Sequence, residues 1–360
     1  MRSEYRPPQL AQAWTRAALS AAVLAAPVSA AFAADVTLPP ISVGAGIRTS
    51  FTQTDLDGTS QNISDFELNS ARIYISGSVT DNIKVMFNTE YSGSDEDVNV
   101  IDAAAMFSFG EKLNIWAGRF LPPSDRANLY GPYYASNWGT FQDGVQDGYP
   151  FETTGRDDGV MYWGQFGIAK VSFGAFDVQG LTKTDSDVLY AGRVQLDFWD
   201  QEGGYYLNGT YYGDKDLLAI GVAAQTARSD NAYSADFLLE KKLPNAGAVT
   251  LEAEYAKYDG LGGYPTPGGF GSTSSDGGYV LGAYLFPQEV GIGRFQILAK
   301  YGQTTDDATI GDIKQTTGEL DLNYVIKQFN ARVTAFYIDQ DYDRGIPGAK
   351  QFGVGLQVQL

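Results

Sequence analysis

Histidine and cysteine are both absent from the 360 residues, and whole chemistries go with them. There is no Ser-His-Asp triad, no thiolate nucleophile, no imidazole or thiolate zinc site, no haem attachment and no disulfide. What remains is electrostatic. Arg48, Arg72, Lys84, Arg193, Lys300 and Arg332 stand on the polar parity of alternating segments. The carboxylates of Glu90, Asp102, Asp197, Asp236, Glu240, Glu252, Glu254, Glu319 and Asp321 occupy wall positions of the same kind. Charges arranged in this way can line a water-filled passage, where rings of charge and the narrowest diameter decide what crosses.

A second constellation lies in 121–155. It combines Pro122 and Pro123, the aromatics Tyr130, Tyr133, Tyr134, Trp138 and Phe141, and the charges Asp125, Arg126, Asp143, Asp147 and Glu152. Loops of this length without secondary structure are functional or disordered, and the aromatic density argues against disorder. Folded into a pore, the segment would be a constriction; left outside, it would be a lid or a contact loop. The acidic loop facing a basic wall would create a transverse field that orients dipolar solutes.

These residues need elements to hold them. The stretch 351–360 alternates without a break, with Phe352, Val354, Leu356, Val358 and Leu360 opposite glutamines and glycines. Period-2 alternation is the mark of a strand with one apolar and one polar face. It recurs at 41–54, 71–79, 83–91, 99–109, 113–120, 156–164, 168–177 and 188–198. Later segments lie near 216–226, 231–242, 248–258, 278–286, 294–303, 314–326 and 330–339. Short connections such as 80–82 and 110–112 alternate with longer polar ones such as 92–98, 121–155 and 259–277. Strands of about ten residues joined in this manner predict an outer-membrane β-barrel, all-β and antiparallel.

The segment YYLNGTYY (205–212) could be a seventeenth strand, but bacterial single-chain barrels have even strand numbers. We read 199–215 as one extended connection at the short-turn end, which leaves sixteen strands. Barrel closure pairs the first strand with the last, making neighbours of Arg48, Arg72 and Lys84, with Arg332 on the penultimate strand close by. Phe51, Tyr91, Phe109, Phe198, Tyr301, Tyr324 and Phe352, on the apolar parity near strand ends, suit interfacial girdles. A secreted soluble all-β protein is the alternative, with one strand face packed on a core.

Residues 1–33 follow other rules. Arg2, Arg6 and Arg16 precede an alanine-rich apolar run, and Ala31-Phe32-Ala33 supplies a small-x-small cleavage pattern. That predicts a secretory signal peptide over 1–33 and a mature barrel over 34–360. The leader carries three basic residues and one acidic one, so without it the formal charge of −18 becomes −20. A chain this acidic is unsuited to nucleic acid. The outer loops contribute Asp55, Asp57, Asp95, Glu96, Asp97, Asp306, Asp307, Asp341 and Asp343. They suit a solvated surface, or a bridge through divalent cations to lipopolysaccharide phosphates. No cofactor or metal site is expected.

At 114–130 (NIWAGRFLPPSDRANLY), 153–166 (TTGRDDGVMYWGQF) and 171–180 (VSFGAFDVQG) the chain resembles the phosphate-selective porin O and P family. The likeness is sharpest over about 100–180. It implies a sixteen-stranded outer-membrane porin, a homotrimer in outer-membrane lipid, passing small anionic solutes through a pore lined by arginine and lysine. The acidic 121–155 loop departs from that lining. Arg119 shares the apolar parity of Leu113, Ile115 and Ala117. Either a bulge turns it inward or it lies at the interface beside Phe120, and the resemblance favours the pore. The expected function is therefore passive diffusion of small hydrophilic solutes or ions, and not an enzyme. The alternative is a barrel sheath around a partner protein such as an electron conduit.

Overall fold

The computed structural model describes residues 40–360 except 60–61, 94–95, 141, 143, 146–154, 178–187, 228–229, 245–246, 261–271 and 309–310. The leader expected over 1–33 lies outside these residues. Alternation resolves into sixteen strands: β1 (Ile41–Leu56), β2 (Asn62–Ser78), β3 (Ile83–Ser92), β4 (Asp97–Ser108) and β5 (Asn114–Phe120). After a helix come β6 (Asp157–Phe166), β7 (Ala169–Asp177), β8 (Val188–Asp197), β9 (Leu217–Ala227), β10 (Asp230–Lys242) and β11 (Ala248–Asp259). The last five are β12 (Ser272–Val290), β13 (Gly293–Ala308), β14 (Ile313–Lys327), β15 (Ala331–Tyr342) and β16 (Ala349–Gln359).

Each strand pairs antiparallel with its sequence neighbours, and β1 with β16 closes the sheet. Closure leaves no edge, so every ladder group is paired within the wall, as a membrane-spanning structure requires. The register at the seam sets Arg48 opposite Gln357, which in turn faces Arg332 across β15. On the other side Gly46 pairs with Arg72. The wall expected from parity is therefore continuous over β15, β16, β1 and β2.

Apolar side chains on the outward parity are exposed, including Val43, Ile73, Phe173, Val222, Leu320 and Val354. Phe109, Phe198, Tyr301 and Phe352 are exposed among them, and they suit the interfacial bands of a bilayer. The inward parity is polar, and eight of the nine wall carboxylates named above are buried there, Glu90 being the partly exposed one. This inside-out distribution rules against a soluble sandwich, whose apolar faces would meet each other. No described helix is long and apolar enough to cross a membrane; the strands do so.

The short connections fall at one end. Gly167 (φ 60°) and Gly291 (φ 66°) take left-handed conformations in two-residue turns, where a side chain would be strained. At the other end several strands run further than the alternation implied. β2 begins at Asn62 rather than near 71, and β12 and β13 extend over Ser272–Val290 and Gly293–Ala308. The ladder needs only backbone partners, so pairing continues beyond the apolar belt.

Candidate functional site: a loop across the barrel

Pro122 and Pro123 follow β5 and cannot donate to a ladder, so the chain leaves the wall there. Ser124 Oγ donates to Pro122 O at 3.1 Å, and Asp125 caps the next element by accepting from Asn128 N at 2.7 Å. That element is a short helix, α1 (Arg126–Tyr134), kinked at Gly131 (φ 60°) ahead of Pro132. Arg126, Leu129, Tyr130 and Tyr133 on it are buried, so the loop folds into the lumen.

The first half of the loop is anchored on β8–β11. Arg193 donates to Ser124 O at 3.1 Å and is paired with Asp236; Gln225 donates to Pro123 O at 3.2 Å. Ala127 N donates to Glu254 at 3.3 Å, and Tyr130 Oη donates to Glu252 at 2.9 Å, which also accepts from Tyr279 Oη at 2.6 Å. Burial pushes the Asp125 carboxyl up to about 6, against the capping N–H of Asn128 and with help from the Asp236 charge.

The second half is anchored across the seam. Arg48 donates to Pro132 O at 2.9 Å and Trp138 O at 3.1 Å, with its guanidinium 4.3 Å from the Trp138 ring centroid. Gln357 donates to Tyr133 O at 2.9 Å. Arg332 donates to Ala135 O at 2.8 Å and Ser136 O at 3.0 Å. Glu319 accepts from Trp138 N at 3.1 Å, Gly139 N at 2.6 Å and Asn137 Nδ2 at 2.8 Å, and Asp321 accepts from Trp138 N at 2.9 Å. The Trp138 ring stacks on Phe336 at 5.6 Å.

Arg48, Arg72, Arg193, Lys300 and Arg332 therefore face inward as parity implied, but three of them act on the loop itself. Arg48, Arg193 and Arg332 satisfy backbone carbonyls of 121–138, so they do not stand across open water from loop carboxylates. Lys300 lies 3.9 Å from the Tyr279 ring centroid. Lys84 has inward parity but is exposed near the short-turn end, away from the other three. Arg119 is a correction to the pore-lining set. β5 holds its register without a bulge, Phe120 points inward, and Arg119 pairs outward with Asp158 at 3.5 Å. The outward carboxylate removes the need to turn the arginine inward. Asp125 and Arg126 are buried, and Tyr133, Tyr134 and Trp138 lie on the loop as expected. Asp143, Asp147 and Glu152 lie outside the described residues.

Sequence reasoning missed the connector 198–216 between β8 and β9. It is not a strand, as expected, yet it does not stay outside. Glu202, Tyr205, Leu207 and Thr210 are buried beneath α1. Arg126 donates to both oxygens of Glu202 at 3.0 and 2.5 Å and to Asn208 O at 3.0 Å. Burial would raise the Glu202 acid, but the Arg126 guanidinium outweighs it and holds the group at about 2. Four tyrosines in YYLNGTYY were the signal available, since such rings bury themselves wherever a surface is offered.

One stretch of wall is less covered. Arg72 binds Glu90 through two hydrogen bonds at 2.8 and 3.0 Å, and its guanidinium sits 4.7 Å from the Tyr133 ring centroid. Arg156 donates to Asp102 at 2.9 Å, which also accepts from Asn88 Nδ2 at 2.8 Å. Glu90, Arg156, Tyr74, Met86 and Tyr206 are partly exposed, and Tyr134 is 37% exposed. Among the described residues, solvent therefore reaches the interior along β2–β4, while the anchors on β8–β15 are sealed.

No family model and no curated protein matches the chain. Solved structures do. An anion-selective porin from Comamonas acidovorans is similar at TM-score 0.58 and 12% identity, covering 90% of this chain and 100% of that one. OmpF of Salmonella typhi, in complex with daunomycin, gives TM-score 0.60 and 15% identity over 89% of this chain and 98% of that one. OprB of Pseudomonas putida gives TM-score 0.62 and 8% identity over 89% and 94%. The fold is that of bacterial outer-membrane porins.

Proposed function

We propose that the chain is a passive diffusion channel of the bacterial outer membrane for small hydrophilic solutes. The observation that carries this reading is the loop 121–138, folded into a closed polar lumen and fastened around it while the β2–β4 wall stays solvent-reached. A barrel of sixteen strands is wide enough for an aqueous channel, and an inward loop narrows it. A sheath would need an empty lumen for its partner, whereas the loop and the connector occupy this one.

The less covered wall pairs Arg72 with Glu90 and Arg156 with Asp102, while Lys84 stands exposed toward the short-turn end. We therefore read the channel as weakly ion-selective. The phosphate selectivity implied by the family resemblance does not suit these neutralised pairs. Assembly as a homotrimer, which the same resemblance implies, belongs to the proposal. The test is reconstitution into planar bilayers: steady open steps in potassium chloride support a channel, and a protein that inserts but never conducts overturns it.

A further inference from the structure

We propose that the connector 198–216 is a second constriction element, folded in from the short-turn end against the first, and that Glu202 is the residue positioning it against the loop. The inference rests on the channel reading and adds what sets its cross-section. A barrel hairpin needs only a few residues to turn, as 167–168 and 291–292 do. The β8–β9 connection instead sends 202–213 back into the lumen, where it makes a set of contacts.

Some of these contacts join the middle of the connector to the loop. Tyr205 Oη donates to Leu121 O at 2.9 Å, Leu207 N to Leu129 O at 3.3 Å, and Gly209 N to Tyr134 O at 2.9 Å. Other contacts join it to the wall. Trp116 meets Tyr205 and Tyr206 at ring separations of 5.2 and 5.5 Å. Glu240 on β10 accepts from Thr210 Oγ1 and Tyr211 N at 2.8 Å each and from Gly213 N at 2.6 Å. Tyr212 packs on Phe329 at 5.1 Å, reaching the turn between β14 and β15.

Glu202 sits where the two inward segments meet. Its carboxylate takes both Arg126 hydrogen bonds, one from Tyr211 Oη at 2.8 Å and one from Gln195 Nε2 at 2.7 Å. A fully buried Arg126 is tolerable only with such a partner. Loop and connector thus form one body that blocks the lumen beneath β8–β12. The tyrosines of the connector leave Tyr206 beside Asp102 at 3.4 Å, on the border of the solvent-reached side.

The experiment replaces 203–213 by a two-residue turn and compares single-channel conductance with the unaltered barrel, folding being checked by heat-modifiable migration. The expected result is a conductance rise of about twofold or more, since removing a segment from the lumen widens the path. A folded variant with unchanged conductance overturns the inference while leaving the channel intact. A silent parent with a conducting variant supports the inference and overturns the open-channel reading. If the shortened chain does not fold, Glu202→Gln decides. Loss of the charge pair is expected to give flickering openings that Glu202→Asp restores toward steady ones, and openings as quiet as the parent's overturn the role of Glu202.

Discussion

Glu319→Ala removes a carboxylate on which three loop donors converge. Trp138 N keeps a second acceptor in Asp321 at 2.9 Å, so it is not stranded. Gly139 N and Asn137 Nδ2 lose their acceptor, at 2.6 and 2.8 Å, in a buried site. An unsatisfied buried donor costs about 1–3 kcal/mol, so two predict a loss of about 2–6 kcal/mol, nearer the lower figure if water enters. Glu319→Gln separates this from a general effect of mutation. Its amide oxygen can serve the two backbone donors. Its NH2 then faces Asn137, whose amide can rotate to accept but leaves its own NH2 where Oδ1 has no partner, so one donor is stranded instead of two. The cost should fall to about half that of the alanine variant, about 1–3 kcal/mol. Urea unfolding of the detergent-folded barrel, followed by tryptophan fluorescence, measures both. Equal losses for the two variants, or an alanine variant as stable as the parent, would refute the reasoning that this carboxylate holds the loop by hydrogen bonds.

Other outcomes are as specific. Gly355→Ala would place its Cβ against the Trp138 ring, which Arg48 and Phe336 fix; a fluorescence shift and noisier openings are expected. Gly192→Ala, whose nearest contact would be 3.6 Å, should be silent in both measurements. Arg72→Glu replaces a neutral pair on the uncovered wall by two carboxylates and should move the reversal potential in a potassium chloride gradient toward cations; an unchanged potential places the path elsewhere. Because the native Asp125 acid is raised from 3.8 to about 6, the folded state holds its proton more tightly than the unfolded chain. The resulting stability is complete below about pH 4 and is lost as pH rises through about 6. Asp125→Asn keeps the cap and should remove that decline, seen as a flatter unfolding midpoint across the window.

The barrel was legible because water on one side and lipid on the other impose the same alternation on every strand, from 41–54 to 351–360. That the long loop is ordered was legible in the clustering of Tyr130, Tyr133, Tyr134 and Trp138; whether it turns inward or stays outside was not. The partners of Arg48 and Arg332 were not. They are backbone carbonyls at 132, 135, 136 and 138, and a carbonyl leaves no signature in residue type. Nor was the helix at Arg126–Tyr134, which is short, interrupted by Gly131 and Pro132, and held by its surroundings rather than by propensity. The connector was half legible: strand parity kept it out of the wall, but its four tyrosines were not read as a sign of burial, and nothing local said in which direction it would fold. Arg119 needed knowledge of Asp158, which lies across a strand pair and not along the chain.

The anchors at the seam also bear on the order of assembly. Pro132 O and Tyr133 O are adjacent carbonyls, yet one is held by Arg48 from β1 and the other by Gln357 from β16. Those two strands are the most distant in sequence of any that pair, so their meeting carries the largest loop-closure entropy of the fold. Until they meet, the loop has half of a binding site on each lip of an open sheet. Its seating is therefore a late event that reports on closure, and once seated it ties the two lips together through its own backbone, as a clasp ties the ends of a belt.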